Sequence, residues 1–300
     1  MTTLKHYAEF LFFQGIKLFF LLLPRKLSLG VGGFLGLAIY SLDRRHRRIA
    51  LANLKTAFGA ELPASARKNI ARKSFIHFGK FLADFIKFKH HNDEKRDKLI
   101  QVEGIENLNQ ALKKGKGVLL FTGHYGSWEI APYFLSRKAK FYVIARALDN
   151  DLLEKELLKM RANLGAEVIY KQQAAKRILQ SLRAREIVAI LIDQNVLRSQ
   201  AIFVDFFGKA AATTPSLAAF LLRTQSPLLP GFCYPAPRNT YKIKILEPLS
   251  IKLTGQYDQD VLKITQICTK IIEAQIRKNP DYWLWFHQRW KTRPENEVNI

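Results

Sequence analysis

Residues 117–130 read G-V-L-L-F-T-G-H-Y-G-S-W-E-I, an apolar run that stops at a histidine with a carboxylate five positions further on. Val118–Phe121 offers four consecutive apolar residues bounded by glycines, which predicts a short buried strand closed by Thr122. His124 then leaves the carboxyl end of that strand. Ser127 is placed to cap a following helix, with Glu129 in its first turn where the macrodipole favours negative charge, although Pro132 can shift or kink the start. On a regular helix, five steps of ~100° put His124 and Glu129 roughly 140° apart. The two meet only if His124 precedes the helix, and Gly123 and Gly126 permit such a turn. A carboxylate touching an imidazole fixes its tautomer and stabilises the imidazolium, so the pair reads as a general base and its orienter. An isolated H-x-x-x-x-E is more often a satisfied histidine under a loop beside a solvated cap. The strand–Gly–His–Gly–helix setting gives this one its chemical weight.

Working outward, the pattern alternates. Strand-like runs at Phe141–Ala145, Val168–Tyr170 and Ile187–Ile192 are separated by helical segments near Ser127–Lys138, Asp151–Leu164 and Ala174–Arg185, with a short helix at Ile105–Lys114 upstream. This rhythm predicts an α/β fold, a largely parallel twisted sheet flanked by helices. Ligands of such sheets bind outside the carboxyl ends of the strands. Three strands there deliver polar residues: His124, Arg146 and the run Asp193-Gln194-Asn195. Arg146 is suited to grip a phosphate or carboxylate, and Asp193 to order Arg146, Arg161 or a substrate hydroxyl. Taken singly, a surface arginine and a turn-capping aspartate explain the same positions.

The remaining C-terminal half continues in the same style. Ala201–Lys209 reads as a strand or edge ribbon, Thr213-Thr214-Pro215 as a helix entry whose amides can also attract an anion, Pro227–Tyr234 and Tyr241–Leu246 as strands, and Asp258–Lys278 as an amphipathic helix. Trp283, Trp285 and Trp290, beside Arg289, Lys291 and Arg293, suit either a headgroup interface or packing on the sheet. Upstream, Pro63–Phe88 has helical spacing with a phenylalanine stripe, read mainly as core with an acyl-chain slot as the alternative. His90-His91-Asn92-Asp93-Glu94 is read as a solvated loop.

At the N-terminus, Phe10–Leu23 is almost wholly apolar but interrupted by Gln14 and Lys17 and stopped by Pro24. A second apolar stretch, Leu27–Leu42, ends in the basic cluster Arg44-Arg45-His46-Arg47-Arg48. The expectation is an apolar helical membrane anchor, either one short span or an interfacial hairpin, with the basic cluster against anionic headgroups; the alternative is a hydrophobic helix packed on the body of the protein. This divides the chain into a membrane-associating segment at 1–45 and a catalytic domain at 46–300. The 300 residues are 48% hydrophobic and carry a net charge of +23, which suits a large core and an anionic partner. Cys233 and Cys268 are the only cysteines and stand far apart, indicating neither a disulfide framework nor a metal site. A Walker loop, G-x-G-x-x-G after a strand, a nucleophile elbow and H-E-x-x-H are all missing, which argues against an NTPase, a dinucleotide enzyme, that type of serine hydrolase and a zincin.

Taken together, G-H-Y-G-S-W-E, R-A-L-D-N at 146–150, L-I-D-Q-N at 191–195, F-F-G-K-A-A-A-T-T-P at 206–215 and W-L-W-F-H-Q-R-W-K-T-R-P at 283–294 resemble the late acyltransferases of bacterial lipid A biosynthesis. That group is related to phosphatidylinositol mannoside acyltransferases within the lysophospholipid acyltransferase superfamily. The resemblance implies a membrane-associated O-acyltransferase with His124 as base and Glu129 as its partner. It places Arg161 and Asp193 as supporting polar residues, with Arg146, Gln194 and Asn195 beside them as substrate-binding candidates. It further implies no cofactor, no metal and no acyl-enzyme. The implied donor is an acyl carrier protein or CoA thioester, the acceptor an anionic glycolipid, and the location the cytoplasmic face of the inner membrane. The rivals are an acyltransferase of another glycolipid or phospholipid, such as a phosphatidylinositol mannoside or ornithine lipid, a noncatalytic lipid-binding scaffold, and a basic nucleic-acid-binding protein. No recognised nucleic-acid module supports the last.

Overall fold

Residues 3–171 and 174–295 are described by a computed structural model. Four helices open the chain: α1 (Leu4–Leu22), α2 (Arg25–Leu42), α3 (Arg44–Phe58) and α4 (Ala64–Phe88). The alternating region follows, with α5 (Asp93–Leu99), β1 (Ile100–Glu103), α6 (Ile105–Lys113), β2 (Val118–Thr122), α7 (Ala131–Leu135), β3 (Phe141–Ala145), α8 (Asp151–Ala162), β4 (Ala166–Tyr170), α9 (Ala174–Arg183) and β5 (Ile187–Leu191). A hairpin of β6 (Ile202–Phe206) and β7 (Lys209–Thr213) precedes α10 (Ser216–Thr224), β8 (Leu228–Ala236), β9 (Thr240–Ile245) and α11 (Tyr257–Lys278).

The main sheet runs β1-β9-β8-β2-β5-β3-β4, and every pairing in it is parallel except β8 with β9. The expected largely parallel sheet is therefore present. Strand β2 is buried along its whole length, as its unbroken apolar sequence requires of a central strand covered on both faces. Side chains alternate across it. Val118 and Leu120 face one core with Phe141, Ala189, Leu229 and Ile243, while Leu119 and Phe121 face the other with Tyr142, Val188, Leu228 and Phe232. Trp283, Trp285 and Trp290 belong to this second core, so of the two readings of the tryptophan-rich tail the packed one holds.

The N-terminal hairpin lies on the body of the protein. Glycines let α2 approach α4 backbone to backbone: a methyl group at Gly36 would overlap the Phe75 carbonyl, and one at Gly79 the Gly32 carbonyl. At the end of α1, Lys87 Nζ donates to the carbonyls of Phe20, Leu21 and Leu23. Arg25 Nε donates to Asp84 Oδ1 at 2.8 Å, and the Tyr241 hydroxyl also reaches that buried carboxylate. Among the described residues no helix is long and apolar enough to cross a membrane, which corrects the short-span alternative. The cause is visible in α1, where Lys5, Glu9 and Lys17 interrupt the run and Lys17 turns inward to meet Glu156 of α8 at 2.7 Å. Leu11, Phe12, Leu18 and Leu22 of α1 and Leu27, Phe34 and Leu42 of α2 remain exposed. His90 and His91 are followed by α5 rather than by a continuing loop.

Candidate active site

β2 ends at Thr122, and the chain turns through Gly123–Ser127 before a short 3-10 turn, Trp128–Ile130, leads into α7. The single helix expected over Ser127–Lys138 is thus broken, with Pro132 in the first turn of α7 where its missing N–H costs nothing. Gly126 sits at φ +65°, and any side chain there would also overlap the Cys233 carbonyl. Neighbours pin the turn from every direction. Gly126 N donates to Tyr282 O at 2.8 Å, Ser127 N to Cys233 O at 2.7 Å and Leu284 N to His124 O at 3.2 Å. Behind it, His77 of α4 donates from Nε2 to Gly126 O at 3.0 Å. Burial pushes the His77 imidazole down to about 4, so it stays neutral.

The carboxylate on His124 is Asp193, from just beyond β5, which corrects the expected contact with Glu129. His124 Nδ1 lies 2.8 Å from Asp193 Oδ1, and the His124 backbone N–H donates to Asp193 Oδ2 at 2.7 Å. Trp283 Nε1 gives Oδ2 a further donor at 2.7 Å. A Cβ at Gly123 would stand 2.9 Å from Asp193 Oδ2, so the first glycine of the motif makes room for this carboxylate. Burial alone would raise the Asp193 carboxyl, but the His124 charge and the hydrogen bonds from His124 and Trp283 prevail and hold it at about 2. An ionised Asp193 favours the tautomer with the proton on Nδ1, in which Nε2 carries the free lone pair.

Glu129 instead faces Arg161 of α8. Arg161 Nε lies 3.1 and 3.0 Å from the two carboxylate oxygens, and Nη2 is 2.5 Å from Oε1, a fork closed on a carboxylate. Burial opposes the Arg161 charge, yet Glu129 more than compensates and raises its pKa. The 3-10 turn carries Glu129 away from the imidazole toward α8, where the half-buried Arg161 guanidinium meets it as a counter-charge.

The other expected site residues separate in role. Arg146 is exposed at the rim and pairs with Asp149 at 2.6 Å. Gln194 places its amide nitrogen 3.2 Å from His124 Nε2. The Asn195 side chain exchanges hydrogen bonds with Thr292, and its backbone N–H donates to His287 Nε2 at 3.0 Å, so Asn195 is foremost a clamp on the C-terminal segment. His287 is pushed down to about 4 by burial despite Asp193 nearby, in keeping with that acceptor role. Arg289, fully buried, donates to Ala212 O and Thr213 Oγ1 and is pushed down to about 10 by burial, with Asp193 opposing the shift. Thr214 Oγ1 accepts from Ser216 N at 3.3 Å, but the N-cap of α10 is Pro215, which has no side-chain cap, so the expected entry with a threonine cap and Pro215 at the first helical position is corrected by one place.

These groups surround a cavity of about 800 Å³. Its polar mouth holds His124, Glu129, Arg146, Arg161 and Gln194, and it continues along the sheet past Leu120, Phe141, Ala189, Gly231 and Ile243. Ala189 is a small residue on this sheet face, while Gly231 is packed by Leu120, from which a Cβ there would stand only 3.1 Å. The volume lies within the ~300–1,000 Å³ of small-molecule cavities. No residue of the phenylalanine stripe on α4 lines this cavity: Phe75, Phe81, Phe85 and Phe88 are buried in the cores, Phe78 packs half-buried against one of them, and Leu82 is exposed. The roles of His77, Trp283 and His287 were not legible as site functions, since each acts from a distant segment through one hydrogen bond.

Residues 1–292 match the family model for bacterial lipid A biosynthesis acyltransferases. The chain belongs to that family. Its relatives include the lipid A biosynthesis palmitoleoyltransferase of Escherichia coli, 26% identical over 89% of this chain and 87% of that protein. The lauroyltransferase of the same organism is 23% identical over 98% of this chain and 95% of its own length. A phosphatidylinositol mannoside acyltransferase of Mycobacterium tuberculosis is 23% identical over 76% of this acyltransferase and 77% of its own chain.

Proposed function

We propose that this acyltransferase moves a fatty acyl chain from an acyl carrier protein or CoA thioester to a hydroxyl of a lipid A precursor, with His124 as general base and Asp193 as its orienter. One observation carries the reading: an imidazole tied at Nδ1 to a buried carboxylate turns Nε2 toward a cavity that is polar at the mouth and apolar within. The acceptor O–H gives its proton to Nε2 as its oxygen bonds to the thioester carbonyl carbon. Collapse of the tetrahedral intermediate breaks the C–S bond, and the imidazolium returns the proton to the departing thiolate. Nearby amides and cations offset the oxyanion charge. Glu129 shapes the mouth by fixing Arg161, and Arg146 and Arg161 supply positive charge for a phosphorylated acceptor. The exposed apolar face of α1 and α2 lies in the headgroup region at the cytoplasmic face of the inner membrane, with the exposed Arg44, Arg45 and Arg48 against anionic lipid.

The test is incubation of the purified protein with acyl carrier protein and CoA thioesters of several chain lengths and a tetra-acylated disaccharide acceptor. A product one acyl chain heavier is expected, lost in His124→Ala while the circular dichroism spectrum is kept. Full activity of that variant would falsify the base assignment. The mannoside relatives favour a second acceptor class, phosphatidylinositol mannosides, and the lipid mass spectrum of a deletion strain distinguishes the two: a lipid A lacking one secondary chain supports the first.

A further inference from the structure

Each nitrogen of the His124 ring is already occupied. Asp193 holds the proton on Nδ1, so Nε2 is an acceptor, and the Gln194 amide nitrogen lies 3.2 Å from it. An imidazole nitrogen of this kind has one in-plane lone pair. An acceptor hydroxyl can therefore reach Nε2 only by displacing the Gln194 amide.

The surroundings of Gln194 suit a group that swings on a fixed base. Asp193 before it is buried and held by His124 and Trp283. Asn195 after it is clamped by His287 and Thr292. Arg289 reaches the Gln194 carbonyl at 3.5 Å. Among the described residues, the bond to His124 is the one hydrogen bond made by the Gln194 side chain, which also lines the cavity.

We propose that Gln194 is a displaceable cap on the general base. This rests on the base reading of His124. In the acceptor-free enzyme the amide occupies the lone pair and keeps water from it; the acceptor hydroxyl then takes the amide's place. Without the cap, a water on Nε2 gives up its proton and its oxygen bonds to the thioester carbonyl carbon. The C–S bond breaks, the imidazolium proton leaves with the thiol, and the donor is consumed as free fatty acid. One neutral hydrogen bond corresponds to roughly a 3–10-fold preference.

The experiment uses the purified full chain in detergent with an acyl carrier protein thioester, measuring fatty acid release without acceptor and acyl transfer with the tetra-acylated disaccharide. Gln194→Ala is expected to raise the ratio of hydrolysis to transfer by about 3–10-fold and to lower the acceptor KM. Gln194→Glu, nearly isosteric, sets a carboxylate against Nε2 and holds the ring protonated, so its transfer activity moves to higher pH, a readout that a packing role would not shift. An unchanged ratio in a folded Gln194→Ala protein overturns the cap, as does an unmoved pH profile in Gln194→Glu. If the alanine variant does not fold, the glutamate variant alone decides. His124→Ala is assayed in parallel: loss of both hydrolysis and transfer leaves the base reading standing, so a negative Gln194 result then counts against the cap alone. Retention of both removes the base and the cap together.

Discussion

At the residue scale, two carboxylates flank the His124 turn, and the hydrogen bonds give the imidazole to Asp193, which is the orienter in the mechanism proposed above. Asp193 accepts from the His124 backbone, the His124 ring and the Trp283 indole, whereas Glu129 is engaged by Arg161. Asp193→Asn presents an amide where an Nδ1–H donor must be met, so the ring adopts the wrong tautomer. Turnover per folded molecule is expected to fall ~100-fold or more, within the range a positioned base contributes. Glu129→Gln leaves the half-buried Arg161 guanidinium without its counter-charge, a loss between the ~1 kcal/mol of a surface pair and the ~3–5 kcal/mol of a fully buried one. That variant is expected to melt lower and to bind acceptor more weakly with its pH–rate profile unmoved. A displaced profile in Glu129→Gln together with an undisturbed rate in Asp193→Asn reverses the assignment. The H-x-x-x-x-E motif lies on a turn whose His124 and Glu129 line the cavity, but local spacing could not reveal that the carboxylate on His124 stands 69 positions away, delivered by the next strand in the sheet.

At the element scale, the strands were legible where an apolar run was both short and central. Phe141–Ala145 was predicted to the residue, and Val118–Phe121 gained only Thr122. The four-residue edge strand β1, half-buried and pressed against a charged helix, carries too weak a period to be read. The apolar N-terminus left a short span and an interfacial hairpin open, and charged residues at intervals along α1 remove the span: among the described residues it is one wall of a helical hairpin with a greasy outer face. A large exposed apolar face on a soluble monomer is uncommon and marks an interaction surface. Phe12 and Phe34 are 72% and 67% exposed, so glutamates there disturb no core. The double variant Phe12→Glu/Phe34→Glu is expected to lose at least ~10-fold in partitioning to anionic vesicles, since each buried aromatic is worth ~1.5–3 kcal/mol. Its turnover of detergent-dispersed substrates should persist. Unchanged co-sedimentation with the vesicles would remove the hairpin as the membrane seat.

At the scale of the whole molecule, the net charge of +23 and the buried histidines together govern behaviour in acid. His77 and His287 are held neutral by burial, both down to about 4, while in the unfolded chain each titrates near ~6.5. Between those values the unfolded chain binds protons that the folded protein refuses, so stability is full above ~6.5 and declines as pH falls toward 4. For His77 alone the loss reaches about 3 kcal/mol, a large share of a typical domain's margin. Asp193, held at about 2, acts in a lower window: its contribution is present above ~4 and disappears as pH falls through 2. Protonation of other carboxylates adds self-repulsion to an already cationic chain, a slope shared by every variant. His77→Gln isolates the histidine part, because the glutamine amide can still donate to the Gly126 carbonyl yet cannot titrate. The melting temperature of the parent protein in detergent is expected to drop between pH 6.5 and 4.5, and that of His77→Gln to drop less across the same interval. Parallel curves for the two proteins would mean that the histidine behind the Gly123–Ser127 turn does not set the acid limit of the fold.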